Sequence, residues 1–347
     1  MIFMHKAAII GLGNIGMEYD VTSATHPESH TMAYVLDDVF ELVCAMDVQP
    51  SKAEMLHRFS PETKFYTDIQ VMFESHPDIE IVSVCTPPQW HLQNLEYLIR
   101  HTAVQYIFCE KPLILSLEEL PILKELLNFR KMIIVPNLSR RWNPGIQNMR
   151  EKIVSRYYGT LQKVMIRYTR GIYNTGAHLF DLLHWCGIKL AKVKVLDKVY
   201  TSSEREGEST FSFVFHGADG VSGYAEAFDD TQYYFFDIDF YFSNGKIAFR
   251  NSGDDIFYYS VAEHHLFPQF SELRVDTHIC DVLSDSCLAY AMSDWKKIIN
   301  REIAPRCSWQ DAISPLCIAK ALEKSYGTGY WETVQDIDAD VSCDRGG

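Results

Sequence analysis

Apolar and polar positions follow two different rhythms along this chain, and the change falls near Pro144. Before it, short apolar runs occur at 6–10, Leu42–Met46, Ile79–Cys85, Gln105–Cys109 and Lys131–Pro136. The stretches Ser51–Phe59, Gln89–His101 and Leu117–Phe129 lie between them and have helical spacing. Strands alternating with helices of this length predict βαβ units and a mostly parallel sheet. Ser116 with Glu119 three residues later reads as a capping box that opens one of these helices. After Pro144 the pattern is that of an antiparallel sheet. Strands are predicted at 160–169, 193–201, 209–216, 220–228, 233–242 and 246–250. Ser243-Asn244-Gly245 is a hairpin signal, and Phe211, Phe213 and Phe215 alternate as residues of a half-buried strand do. A helix near 177–186 interrupts the strands, and helices near 278–300 and 309–325 close the chain. The division expected is an α/β domain over 1–140, an α+β domain over 141–331 with a large, mostly antiparallel open sheet, and an acidic tail over 332–347.

Composition narrows the partners. At 347 residues there is room for two cores, and the 47% hydrophobic and 13% aromatic content argues for ordered globular structure. No apolar run is long enough to cross a bilayer, and the first residues lead straight into a strand without a leader pattern. The net charge of -14 disfavours nucleic acid and anionic membrane as partners. Nine cysteines without a Cys-x-x-Cys pair read as reduced thiols, which fits a cytoplasmic protein. His26 and His30 have metal-ligand spacing but no cluster of carboxylates or thiols beside them, so no metal is expected.

The candidate chemistry begins at Gly11-Leu12-Gly13-Asn14-Ile15-Gly16, directly after the first apolar run. This is the glycine turn of a Rossmann dinucleotide site. Gly11 allows the tight turn, Gly13 lets the backbone approach a pyrophosphate, and Gly16 permits close helix packing. Backbone N–H groups over Asn14–Gly16 would face the phosphates. Asp47 ends the second strand, where a carboxylate accepts ribose hydroxyls and repels a 2′-phosphate. NAD is therefore favoured over NADP, although Lys52 is near. Gly16 and Asp47 are 31 residues apart, where about 20 is usual. The excess falls in Glu18–Thr31, read as an inserted lid or substrate-contact loop. Cys85-Thr86-Pro87-Pro88-Gln89-Trp90-His91 ends a buried strand, on the ligand side of such a sheet. Glu110-Lys111-Pro112 ends the next.

These three elements, in this order at matching strand ends, resemble the glucose-fructose oxidoreductase, inositol dehydrogenase and MocA (Gfo/Idh/MocA) family. The resemblance covers most of the chain, since an open antiparallel sheet in a second domain is also that family's pattern. It implies a dehydrogenase in which Lys111 is the active-site lysine, contacting substrate and nicotinamide ribose. It implies cofactor contacts from Gly11, Gly13, Asn14, Ile15, Gly16, Asp47, Thr86, Pro87, His91, Glu110 and Lys111. The family's acid and histidine at the start of a second-domain helix fall on Asn174 and His178. Asn174 departs from the acid: an amide can hydrogen-bond a hydroxyl but cannot share its proton. Proton transfer then falls to His178, Lys111 or Tyr173. Arg140 and Arg141 border the expected site and suit a carboxylate, phosphate or sugar hydroxyl, with Tyr173 as a further substrate contact.

The function expected is hydride transfer between nicotinamide and a secondary hydroxyl or keto group. The substrate would be a sugar, sugar acid, cyclitol or nucleotide-linked sugar, and the setting surface-polysaccharide sugar biosynthesis. Two alternatives stand beside it: a cofactor-binding sensor without turnover, and a glycosidase using retained NAD by transient oxidation. Phe211, Phe213, Phe235 and Tyr241 suggest an aromatic open sheet face, hence a homodimer or homotetramer through the C-terminal sheet.

Overall fold

The protein is described here as a computed structural model over residues 4–20, 26–203 and 207–337. Strands are numbered in chain order: β1 (His5–Ile10), β2 (Phe40–Met46), β3 (Lys64–Tyr66), β4 (Ile81–Val84), β5 (Tyr106–Cys109), β6 (Ile133–Pro136), β7 (Leu161–Tyr168), β8 (Leu190–Val199), β9 (Thr210–Gly217), β10 (Ser222–Ala227), β11 (Phe236–Phe242), β12 (Gly245–Arg250), β13 (Asp255–Glu263), β14 (Ser271–Ile279) and β15 (Glu332–Thr333). The helices are α1 (His30–Val35), α2 (Lys52–Phe59), α3 (Ile69–Ser75), α4 (His91–His101), α5 (Leu120–Phe129), α6 (Pro144–Val154), α7 (Gly176–Trp185), α8 (Cys287–Ile299) and α9 (Trp309–Thr328). The chain forms two units, Met1–Trp142 with Asp285–Ala312, and Asn143–Ser284 with Ile313–Gly347.

The first unit holds a parallel sheet of order β3-β2-β1-β4-β5-β6. The order reverses between β1 and β4, and ligands of such sheets sit outside the carboxyl ends of the strands at that switch point. Every residue of β4 and β5 is buried, which explains their continuous apolar sequence. The Ser116–Glu119 capping box forms as expected. The expected domain limits need one correction. Residues 285–312 return to this unit rather than staying with the second. Leu288, Met292, Trp295 and Ile298 line one buried face of α8 within its core. The Trp295 ring meets Phe108 at 5.5 Å and Tyr106 at 6.2 Å. A helical apolar stripe reads the same whichever sheet it covers, so periodicity could not assign α8.

The second unit holds a nine-stranded sheet of order β14-β13-β12-β11-β7-β10-β9-β8-β15. Only the β7–β10 pair is parallel among its described ladders. The β11–β12 hairpin turns at Ser243-Asn244 as the sequence predicts. On one face, Phe211, Phe213 and Phe215 are fully buried. Phe180 of α7 meets Phe213 at 6.1 Å, and Tyr326 of α9 meets Phe211 at 4.9 Å. The opposite face mixes charge with the aromatic side chains expected. There, Asp239 takes ion pairs from Arg250 at 2.6 Å, Lys246 at 2.7 Å and Arg167 at 3.6 Å. Tyr241 shares that face with this charged network, whereas Phe211 and Phe213 lie under the helices. Phe257, in register with Asp239 through Ala248, and Tyr259, in register with Tyr241 through Lys246, add rings to that face, so the homodimer or homotetramer expected through this sheet keeps aromatic side chains to form on. The start of the expected tail is also ordered: Glu332 and Thr333 pair with β8, and Lys324 holds Glu332 at 2.6 Å. The rest of that tail beyond Ile337 lies outside the described residues. Among the described residues no helix is long and apolar enough to cross a membrane.

Candidate functional site

The glycine turn follows β1 as predicted, and its three glycines answer to different neighbours. Gly11 has φ of +95°, and a Cβ there would lie 2.7 Å from the Cys85 carbonyl carbon and the Thr86 nitrogen. At Gly16 a Cβ would lie 2.1 Å from the Gly11 oxygen. Both absences are thus demanded by the fold. At Gly13 a Cβ would meet nothing within 4 Å. The protein itself does not need glycine there, whereas a pyrophosphate approaching the backbone does. The turn therefore fits a dinucleotide. Gly13→Val should leave the melting temperature unchanged and weaken NADH binding by about tenfold or more, measured by nicotinamide fluorescence. Gly16→Ala should instead unfold the turn. Asn14 and Ile15 sit in the short helical turn that follows, closed by Met17 N–H to Gly13 O at 2.8 Å and Tyr19 N–H to Asn14 O at 3.0 Å.

Asp47 is built into this turn. One carboxylate oxygen accepts from Leu12 N–H at 2.8 Å and the other from Gln49 N–H at 2.9 Å. Each oxygen keeps a lone pair for a further donor. Lys52, the cation nearest in sequence, is ion-paired with Glu18 from the segment after the glycine turn. Its charge is already answered, which lowers its value for a 2′-phosphate.

The loops after β4 and β5 are strapped together by His91. Its Nε2 lies 2.7 Å from the Thr86 carbonyl and its Nδ1 lies 2.7 Å from the Pro112 carbonyl. Each ring nitrogen faces a carbonyl oxygen, which can only accept. Neither is left for a cofactor, and His91 is a loop strap rather than the cofactor contact expected. Thr86 Oγ1 accepts from Asn94 at 2.9 Å, which fixes its side chain. Pro87 and Pro88 then lead into α4 through a short 3-10 turn. Lys111 is half-buried, and its bond to Pro112 is cis.

Glu110 turns inward instead of facing the cofactor. It is 8% exposed and accepts from Asn137 Nδ2 at 2.6 Å, with His30 Nε2 at 3.0 Å from the same oxygen. Burial pushes its carboxyl up, but His30, Asn137 and Lys111 together outweigh burial and hold it below the usual carboxylate range. This also corrects the reading of Glu18–Thr31 as a lid. Asp20 accepts from the Glu28 and Ser29 N–H groups, and Ser29, His30 and Thr31 are buried. Residues 21–25 of that loop lie outside the described residues.

Arg141 is likewise not at a ligand surface. It is 1% exposed, donates to Asp311 Oδ1 at 3.0 Å and to the Arg306 carbonyl at 3.2 Å. Arg140 beside it is half-buried, with its charge felt at the Cys287 thiol.

In the second unit, Gly171–Thr175 form a π-helical turn that runs into α7. Asn174 and His178 are four residues apart across that junction, and both are half-buried. The turn is held by Glu208, whose carboxylate accepts from Asn174 N–H at 2.6 Å and also from Tyr173 N–H. Gly171, with φ of +75°, makes room for it: a Cβ there would lie 2.1 Å from Glu208 Oε1. The Asn174 side-chain amide makes no hydrogen bond to another described residue, so it is open to a ligand. Tyr173 is not. Its hydroxyl is buried, its ring lies under Lys320 of α9 at 5.3 Å, and burial pushes its pKa up to about 12. It is turned away from the role of substrate contact or proton carrier.

Comparison with known proteins bears on this geometry. Residues 5–137 match the oxidoreductase family with an NAD-binding Rossmann fold, Gfo/Idh/MocA. That stretch of the chain belongs to the family. The chain is 25% identical over 194 residues to the inositol 2-dehydrogenase of Salmonella typhimurium strain LT2, covering 52% of this chain and 54% of that protein. The chain thus spans about half the length of the curated relatives it matches. A putative myo-inositol dehydrogenase from Sinorhizobium meliloti 1021 shares the fold with a TM-score of 0.73 at 18% identity, covering 96% of this chain and 100% of that one. Levoglucosan dehydrogenase, solved with NADH and L-sorbose, does so with a TM-score of 0.77 at 16% identity, again covering 96% and 100%.

Within the Gfo/Idh/MocA framework, three residues escaped the sequence reading. His30 and Asn137 bracket Glu110, and Glu208 holds the turn before α7. His30 carried a signal, as a histidine in a segment of odd composition, but the signal pointed to a loop. Nothing in the sequence around Glu208 marks it, because its partners are backbone N–H groups 34 and 35 residues away.

Proposed function

We propose that this family member is an NAD-dependent dehydrogenase acting on a secondary hydroxyl or keto group of a sugar-like substrate. Sugars, sugar acids, cyclitols and nucleotide-linked sugars are the classes in view, with surface-polysaccharide sugar biosynthesis as the setting. The observation that carries the reading is Gly13, a glycine the fold does not require, at the switch point of a parallel sheet. The match to inositol 2-dehydrogenases and the likeness to levoglucosan dehydrogenase support a polyol or cyclitol over other alcohols.

Bound nicotinamide would supply the hydride acceptor or donor. The residues of this chain would manage the oxygen and its proton. Lys111 presents an ammonium that stabilises negative charge on a carbinol oxygen. His178 is an imidazole, the side chain type suited to proton removal near neutral pH. Asn174 would orient the hydroxyl without sharing its proton. NAD is favoured because Asp47 faces the glycine turn as a carboxylate and Lys52 is already paired with Glu18.

A fluorescence titration with NADH and NADPH tests the cofactor half. Asp47→Asn removes the charge and keeps one acceptor oxygen for Leu12 N–H, losing only the exposed bond from Gln49 N–H, so the turn should survive. NADH should bind about tenfold more weakly to this variant. NADPH should bind better than it does to wild type. Failure of wild type to bind either nucleotide would end the proposal. Turnover on a panel of polyols and cyclitols tests the other half.

A further inference from the structure

Beneath Lys111 runs a buried row of polar side chains that the proposed chemistry does not use. Tyr34 Oη lies 2.9 Å from Ser83 Oγ, and Ser83 Oγ lies 2.9 Å from His30 Nδ1. His30 Nε2 lies 3.0 Å from Glu110 Oε1. Asn137 reaches the same Glu110 oxygen, and Trp142 Nε1 donates to Asn137 Oδ1 at 3.0 Å. The other Glu110 oxygen accepts from the Lys111 N–H at 3.3 Å. His30 and Tyr34 are 1% exposed and Ser83 is fully buried.

The proton positions follow from donor and acceptor capacity. Ionised Glu110 only accepts, so His30 Nε2 must carry a hydrogen. In a neutral imidazole Nδ1 then accepts, so the Ser83 hydroxyl donates to it and its oxygen is free to accept from Tyr34. Burial pushes the Tyr34 hydroxyl pKa up, which keeps that proton in place. With a neutral imidazole every group in the row has a partner; with an imidazolium Nδ1 donates to Ser83 and Ser83 to Tyr34, and in both states Nε2 donates to Glu110. The remaining titratable groups facing Glu110 are Lys111 and the thiols of Cys85 and Cys109. Burial pushes both thiols up and keeps them neutral, so His30 first, then Asn137 and Lys111, hold the carboxylate down.

We infer that His30 is a positioning residue: it fixes the Glu110 carboxylate beside Lys111, and the carboxylate in turn sets the charge state of the Lys111 ammonium. The inference rests on the reading of Lys111 as the group that handles the substrate oxygen. Its physical content is a two-step dependence. Without the His30 donor, burial dominates at Glu110 and its proton affinity rises. Once Glu110 is neutral, the favourable charge it presents to Lys111 is gone, and Lys111 gives up its own proton more readily.

Lysine titration by NMR after reductive 13C-methylation of the full chain reads this without a substrate. The Lys111 signal is assigned by its loss in Lys111→Arg. In His30→Ala the Lys111 pKa should fall by about one unit. In His30→Gln, whose amide N–H can stand near the Nε2 position, it should stay close to wild type. Glu110→Gln should lower it at least as far as His30→Ala does. An unmoved Lys111 in His30→Ala overturns the inference, as does an equal fall in His30→Gln. If His30→Ala fails to fold, by melting temperature and NADH binding, the Gln variants decide. Glu110→Gln must then lower the Lys111 pKa while His30→Gln preserves it, and any other pair of results overturns the inference. Failure of the functional reading is distinguishable: it would show as full turnover in Lys111→Ala, whatever the titrations give.

Discussion

Lys111→Ala is expected to lower turnover by about 10³-fold while NADH affinity stays within about fivefold of wild type. The asymmetry follows from where the side chain begins. Lys111 follows β5 at the carboxyl edge of the parallel sheet, one position after a carboxylate held below the usual range. The dinucleotide is expected to be held chiefly elsewhere, by the glycine turn and Asp47, so most of its binding should survive. The ammonium acts on charge that develops on the carbinol oxygen during hydride transfer, and such an interaction appears in kcat rather than in ground-state affinity. Lys111→Arg keeps the charge but spreads it over a planar fork, and should recover little of the loss. The measurement is steady-state kinetics on the best polyol or cyclitol from a panel, beside cofactor titration of each variant. Turnover within tenfold of wild type in Lys111→Ala would remove lysine from the chemistry and leave His178 to carry it.

The parts of the protein legible in the sequence are those with a strong local period or a strong local turn. The buried strands β4 and β5, the glycine turn, the capping box at Ser116 and the hairpin at Ser243-Asn244 all declare themselves over fewer than ten residues. β13 and β14 were not anticipated. β14 is the edge of its sheet, and Ser271–Ile279 is exposed along almost its whole length, so it lacks the buried alternate positions that mark a strand. α8 was anticipated but assigned to the wrong unit, because its apolar stripe does not name its partner. The candidate site divides the same way. Gly11, Gly13, Gly16, Asp47 and Lys111 could be named because their chemistry follows from position on a strand end. His91 and Glu110 take cofactor roles from the resemblance, and Arg141 and Tyr173 take substrate roles from their place in sequence beside the expected site. In the structure the side chains of His91, Glu110 and Arg141 are held by hydrogen bonds inside their own unit, and the Tyr173 ring lies under Lys320. A polar residue near a site is often there to hold the backbone that carries the site, and only its hydrogen-bond partners tell the two uses apart.

Arg141 gives the clearest test of that distinction. Arg141→Ala should destabilise the protein by about 2–3 kcal/mol, because it empties a buried side-chain site and takes the guanidinium from Asp311, which is half-buried and keeps its Ser308 contacts. For a unit of this size that is a fall in melting temperature of several degrees. Burial alone would push the Asp311 carboxyl up, yet Arg141, with Ser308, holds it below its ordinary value. The stability carried by this pair is therefore present above the ordinary carboxylate range and lost as pH falls through the depressed value. The difference in melting temperature between wild type and Arg141→Ala should shrink accordingly in acid. Arg141→Lys should rescue only part of the loss, since one ammonium cannot reach both Asp311 and the Arg306 carbonyl in the same geometry. KM should be unchanged in either variant at a temperature where the fold is intact. A raised KM with an unchanged melting temperature would return Arg141 to the substrate, and would mean that its bond to Asp311 contributes little to the fold.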